Sequence, residues 1–190
     1  ALKTFGNQVT MTIALTLTLV FFGLYYIDNI IPLFGGKGTI FEPAKTYYQI
    51  ILYGVPFLAL SMMGNTIIRA EGKPKYAMYA MMIPSITNLG LDILFINVMD
   101  LGMIGAAWAT TGSYILCFIF IFWFFVSKNS EMKISLIHFK LQRSIVSEIS
   151  NLGSVTLSRQ AIVSITYLLM NNILFDFGGV TSVTSYAIVS

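Results

Sequence analysis

Met103-Ile104-Gly105-Ala106-Ala107-Trp108-Ala109-Thr110-Thr111-Gly112-Ser113-Tyr114-Ile115-Leu116-Cys117-Phe118-Ile119-Phe120-Ile121-Phe122-Trp123-Phe124-Phe125-Val126 contains no Asp, Glu, Lys or Arg. As a helix rising 1.5 Å per residue it reaches about 36 Å, enough to cross a hydrocarbon core ~30 Å thick. The run is continuous rather than alternating, which excludes a strand of a β-barrel. Outward from it lie further apolar runs: Tyr76 to Val98, Tyr47 to Ile68 and Val9 to Ile27 before it, and Ile149 to Phe175 and Val180 to Ser190 after it. Pro32, Gly35-Gly36 and Gly38, then Gly72 and Pro74, then Asp100 and Gly102, then Gly178-Gly179 punctuate them. The pattern predicts an all-α polytopic transmembrane helix bundle.

Composition agrees. Of 190 residues, 56% are hydrophobic and only 10% charged, against about 25% charged in an average soluble domain. So little charge cannot wet a globule of this size, which argues against a soluble enzyme. The mean hydropathy is +0.79, and 14% aromatic residues exclude a disordered chain. Cys117 is the single cysteine, so neither an intrachain disulfide nor a Cys-rich metal site is expected. The sequence has no Gly-x-Ser-x-Gly, His-Glu-x-x-His or Walker motif and one histidine, His138, so no enzyme is expected. Apolar runs without a nucleotide motif point to a secondary transporter.

Lys and Arg set the orientation. Lys3, Arg69, Lys73, Lys75, Lys128, Lys133, Lys140 and Arg143 fall in one set of connections, Lys37 and Lys45 in the other. The first set is therefore cytoplasmic, in a multi-pass protein of the cell's inner (plasma) membrane. Between Ser135 and Ser150, Leu136, Ile137, Leu141, Ile145 and Ile149 alternate with Lys140 and Arg143. This reads as an amphipathic linker on the cytoplasmic face, with His138 a surface residue. The sequence stops 11 residues into its last apolar run, from which an internal piece of a larger transporter or channel is expected.

Ionisable residues inside a membrane are costly and usually functional. Asp92 and Arg159 are the two well inside an apolar run. Ser85, Asn88 and Asp92 stand at i, i+3 and i+7, on one helical face. Asp92 and Thr110 lie at matching depth on either side of the turn at Asp100. A carboxylate, an amide oxygen and a hydroxyl are hard oxygen ligands, suited to an alkali cation or to a proton on the carboxyl. The same residues also suit a structural Asp92 satisfied by Asn88 and Thr110. Arg159, beside Gln160, can snorkel, pair with an acid or line a cavity. Gly105, Ala106, Ala107, Ala109 and Ser113 read as helix-packing surface, and Cys117 as a small apolar residue facing core or lipid.

Arg69-Ala70-Glu71-Gly72-Lys73-Pro74-Lys75, Asn88-Leu89-Gly90-Leu91-Asp92, and Gly102-Met103-Ile104-Gly105-Ala106-Ala107-Trp108-Ala109-Thr110 resemble, in order and spacing, the signature of the multidrug and toxic compound extrusion (MATE) family. Lys73, Ile93 and Val155 depart from that family's usual Asn, Pro and Pro. The resemblance implies part of a twelve-helix, two-lobe exporter. Residues 1–126 would be the last four transmembrane helices of the N-terminal lobe and residues 127–148 the cytoplasmic amphipathic linker. Residues 149–190 would start the C-terminal lobe, as a seventh helix and a truncated eighth.

The implied activity is efflux of cationic, amphipathic drugs in exchange for Na⁺ or H⁺ by alternating access, with no cofactor beyond the coupling ion. Carried over by position, Asn88, Asp92 and Thr110 fall on the first lobe's cation site and would be the Na⁺ ligands if Na⁺ is the coupling ion. Tyr47, near that site, Asn65, Ser85, Arg159 and Gln160 are expected to line the substrate cavity. Expected partners are small cationic drugs and membrane lipids, with no nucleic acid and a monomeric full-length protein. A lipid-linked oligosaccharide flippase of the same superfamily, which would show more basic residues in its cavity, stays open as an alternative. So does an uncoupled channel or structural subunit. The orientation has a direct check: a cysteine placed at Gly72 is expected to react with an impermeant maleimide only from the cytoplasmic side, and one at Gly36 only from outside. The reverse pattern would invert the topology.

Overall fold

The computed structural model of the chain describes residues 2–34, 38–127, 130 and 141–189, with side chains described up to residue 170, save that of residue 39, and at 173. Helix α1 (Leu2–Tyr25) runs into the short α2 (Ile27–Leu33), and a 3-10 turn (Gly38–Ile40) leads into α3 (Phe41–Ala70). Next come α4 (Pro74–Asp92), a π-helical turn (Ile93–Val98), α5 (Gly102–Val126) and α6 (Arg143–Val189). No strand occurs among the described residues. Four stretches there are long and apolar enough to cross a membrane: Leu2–Tyr25, Phe41–Ala70, Pro74–Val98 and Gly102–Val126. His138 and the lysines at 37, 128, 133 and 140 lie outside the described residues.

The connections follow from the residues that make them. After α3, Gly72 takes φ +74°, where a side chain would collide with its own backbone. The Gly72 N–H then donates to the Arg69 carbonyl at 3.0 Å and the Lys73 N–H to the Ile68 carbonyl at 3.2 Å. This is the Schellman closure of a helix end, and Pro74, at the first position of α4, needs no donor there. At the other end of α4 the ladder widens: Met99 N–H donates to the Leu94 carbonyl and Leu101 N–H to the Phe95 carbonyl, both at 3.0 Å. Asp100 at φ +52° and Gly102 at φ +51° reverse the chain into α5. The turn begins at Ile93, one of the positions at which the sequence departs from the signature it resembles.

Residues 1–146 form one compact unit and residues 147–190 a second. In the first, α5 packs along α3 and α4, and α1 lies on α3. The apolar core joins Phe5 of α1, Ile67 and Ile68 of α3, Ala77 and Ala80 of α4, and Cys117, Ile121, Phe124 and Phe125 of α5. Large apolar side chains such as Leu15, Phe21, Met62, Ile86, Leu89 and Trp123 point outward, as suits a surface bathed in lipid.

The helices approach closely where they carry small residues. A Cβ on Gly54 would lie 3.1 Å from Tyr114 and 3.2 Å from the Thr111 hydroxyl, and one on Gly23 3.0 Å from Leu52. A Cβ on Gly64 would run into the Ile121 side chain. The expected packing face of α5 is present, with Gly105, Ala107, Ala109 and Ser113 all buried.

The second unit departs from expectation. A turn was expected at Asp176–Gly179, between a seventh and an eighth helix; instead α6 is one helix of 47 residues. At 1.5 Å per residue it extends about 70 Å. Arg143–Val189 contains no proline, and two glycines cost only about 1 kcal/mol each relative to alanine, too little to end a helix by themselves. Likewise α6 begins at Arg143, so the last residues expected in the linker are its first turns.

The tight α3–α5 contact yields a stability prediction. Gly64→Val puts a branched side chain against a β-branched one whose offending methyl sits directly on Cβ and cannot swing away. Overpacking of this kind costs about 1–3 kcal/mol. A lowered thermal unfolding temperature in detergent is expected, with part of the loss restored by Ile121→Ala.

Candidate functional site: an oxygen cluster between α4 and α5

Asn88 and Asp92 sit one turn apart on α4, and Thr110 faces them from α5. The Asn88 amide fits between its neighbours in two ways. In one, Nδ2 donates to Thr110 Oγ1 at 3.3 Å. In the other, Nδ2 donates to Asp92 Oδ2 at 3.2 Å while the amide oxygen accepts from the Thr110 backbone N–H at 3.3 Å. The second orientation suits a charged carboxylate, which needs a donor. The first turns one acceptor oxygen toward another, which is favourable only with a proton or cation between them. Thr110 Oγ1 is held at 3.0 Å from the Ala106 carbonyl, which fixes its rotamer and directs its remaining lone pair away from its own backbone.

All three residues are half-buried. Packing keeps them in register: Leu91 of α4 fits against Gly112 of α5, where a Cβ would lie 3.1 Å from the leucine methyl. On the outer side Gly105 lets α5 meet the π turn, where a Cβ would lie 3.0 Å from the Phe95 carbonyl oxygen. The π turn starts at the residue after Asp92, and such widened turns occur mostly at functional sites.

The donor set is one carboxylate with a neutral amide oxygen and a hydroxyl. It fits a hard monovalent cation, or a proton on Asp92. Among the described residues no three His, Cys, Asp or Glu converge, so the ligand set of an ordinary transition-metal site is not assembled there.

The other candidate residues of the first unit, Tyr47, Asn65 and Ser85, make no described hydrogen bond to this cluster. The Tyr47 ring is exposed on α3, about one turn outward of Ile50, whose carbonyl accepts from Thr111 Oγ1 at 3.0 Å. That bond places Tyr47 near the depth of the cluster, and no described hydrogen bond joins it to Asn88, Asp92 or Thr110. Asn65 donates from Nδ2 to the Ala77 carbonyl at 2.7 Å, so its amide ties α3 to α4 near the cytoplasmic turn. Ser85 is exposed, its hydroxyl 3.4 Å from the Met81 carbonyl of its own helix. Arg159 and Gln160 are exposed on α6, in the second unit.

Two polar contributions were not foreseen. Cys117 faces the core, one of the two settings expected for it, but its thiol also donates to the Ala80 carbonyl at 3.1 Å. Asn7, fully buried, donates to the Lys3 carbonyl at 2.8 Å and accepts from the Gln142 N–H at 2.7 Å. The clue to Asn7 was an amide at the edge of an apolar run. The clue to Cys117 was Pro84, which removes a backbone donor from α4.

The arrangement has counterparts among known proteins. The MatE family model matches residues 1–94. The multidrug export protein MepA of Staphylococcus aureus is 26% identical over 176 residues, covering 93% of this chain and 39% of its own length. Among solved structures, a multidrug resistance MATE family transporter of the MOP superfamily, in an inward-facing conformation, superposes with a TM-score of 0.85 at 30% identity. That match covers 94% of this chain and 41% of the other. A MOP superfamily transporter from Pyrococcus furiosus, described as having a binding pocket of reversed polarity, superposes at 0.82 with 29% identity, over 96% of this chain and 41% of its own. The chain thus spans about two fifths of the length of the relatives it matches.

Proposed function

Since this chain belongs to the MATE family and is a multi-pass protein of the plasma membrane, we propose that it serves secondary active efflux, with Asp92, Asn88 and Thr110 as a coupling-cation site. The observation that carries this reading is the Asn88 amide, which reaches the Asp92 carboxylate and Thr110 from a single position. A carboxylate in a low-dielectric setting is costly while charged. Either Na⁺ or H⁺ neutralises it, and the energy so gained differs between states in which the site is open to one side or the other. Coupling follows when drug and cation favour opposite states.

The substrates proposed are small cationic, amphipathic compounds, the chemistry that one shared acidic site would exchange for a cation. Tyr47, exposed near the depth of the cluster, is the residue of this chain best placed to meet such a molecule with an aromatic face. Ser85, Arg159 and Gln160 stay candidates for the walls of the cavity. Asn65, whose amide is bonded to Ala77, acts in this reading through helix packing. The whole transporter is proposed to work as a monomer surrounded by lipid.

The decisive variant is Asp92→Asn, which keeps the shape and removes the charge. In the whole transporter, export of ethidium is expected to fall to the background of cells lacking the protein, with membrane insertion retained. Resistance at the wild-type level, at equal expression, would overturn the assignment. In liposomes, efflux by the unmodified protein should follow an imposed Na⁺ or H⁺ gradient. Flux that ignores both gradients would point to an uncoupled channel.

A further inference from the structure

We propose that Cys117 and Asn65 are positioning residues for the cation site. They hold the cytoplasmic half of α4 against its neighbours, and Pro84 is the joint about which the arm carrying Asn88 and Asp92 moves. This rests on the coupling role given to Asp92 above.

Pro84 lies inside α4. Having no N–H, it leaves the carbonyl of Ala80, four residues earlier, without its helical donor. In hydrocarbon such a group must find another partner, and side chains of neighbouring helices supply it. Here the donor is the Cys117 thiol of α5, at 3.1 Å. One turn nearer the cytoplasm the Ala77 carbonyl receives the Asn65 amide of α3 at 2.7 Å. Two side chains from two helices therefore grip consecutive turns of the same segment.

Burial divides α4 at the same place. Ala77 and Ala80, at 1% and 2% exposure, are its buried residues. Beyond Pro84, neither α4 nor the π turn buries a residue. Among the described residues the side-chain hydrogen bond from that arm to another helix is the one between Asn88 and Thr110, which belongs to the cation site itself. The base is anchored by hydrogen bonds from groups with no part in cation binding. The arm's side-chain hydrogen bond to another helix uses groups that the cation engages, and its other hold on α5 is the packing of Leu91 against Gly112 and of the π turn against Gly105. A cation drawing Asp92, Asn88 and Thr110 together thus moves the arm against a fixed base, and does not shift the whole helix.

The test is a double-mutant cycle in the whole transporter, reconstituted in liposomes, with ethidium efflux measured against imposed Na⁺ and H⁺ gradients. Cys117→Ala leaves the Ala80 carbonyl without a donor and loosens the base. The half-saturating cation concentration is expected to rise about tenfold, the scale of one orphaned buried acceptor. Cys117→Ser keeps a donor and should stay near the unmodified protein. In a Pro84→Ala background the backbone N–H restored by that substitution serves the Ala80 carbonyl, so adding Cys117→Ala should change cation dependence little. Pro84→Ala alone, lacking the joint, should lower the maximal rate more than the cation affinity.

Thermal unfolding in detergent provides a second cycle that needs no transport: Cys117→Ala should lower the unfolding temperature with Pro84 present and leave it nearly unchanged in the Pro84→Ala background. Equal effects of Cys117→Ala in the two backgrounds, in efflux or in unfolding, would overturn this proposal alone. Efflux by the unmodified protein that depends on neither gradient would remove the coupling reading, and this proposal with it.

Discussion

The close approach of α3 and α5 sets the geometry of everything else in the first unit. Lipid tails are as apolar as leucine, so helices in a bilayer gain little from burying greasy surface against each other; they associate by close packing and hydrogen bonds. Gly54 and Gly64 leave the space, and Thr111, Tyr114 and Ile121 fill it. The approach is close enough for the Thr111 hydroxyl to reach the Ile50 carbonyl. That bond fixes the depth of α5 relative to α3. Thr110, the next residue, points about 100° away around the helix axis, toward α4. Two adjacent threonines thus serve two different neighbours.

Backbone satisfaction explains where the remaining polar groups go. Thr10, Thr16, Thr18 and Thr66 bond carbonyls of their own helices, so these four hydroxyls need no partner from lipid or from another helix. Some side chains that bridge helices do so where the regular ladder is interrupted or where a polar group is buried. Cys117 answers the proline in α4, and Asn65 braces the turn before it. At the outer edge, Lys45 of α3 meets Asp28 of α2 at 2.6 Å. That pair is exposed on the Asp28 side, where solvent screening leaves it little weight in stability.

The oxygen cluster of Asn88, Asp92 and Thr110 lies beside an irregular stretch of backbone. Asp92 ends the α-helical part of α4, the π turn follows, and Asp100 adopts a left-handed conformation before α5 begins. An irregular end is easier to reshape than a helix middle, which is consistent with a site that must bind and release. The other half of α4 is by contrast held to its neighbours by the Asn65 and Cys117 hydrogen bonds.

Much of this was legible in the residues. Continuous apolar runs bounded by glycine, proline and charge determined the four spanning helices, because hydrocarbon tolerates no other way of satisfying a single segment's backbone. Helical spacing put Asn88 and Asp92 on one face, and equal distances from the Asp100 turn matched Thr110 to them. Gly178-Gly179 misled, because glycine signals a turn only when something else stops the helix. Composition could not show that the Asn65 amide is taken up by Ala77, that Ser85 turns back on its own helix, or that Cys117 serves a carbonyl orphaned by Pro84. Each of those depends on which atom of another helix comes within 3.5 Å. The sequence by itself determined what must be buried in lipid and how each segment coils, since those are properties of a segment and its solvent. Only the tertiary structure decided which polar groups meet, since that depends on the angle and depth at which separate helices cross.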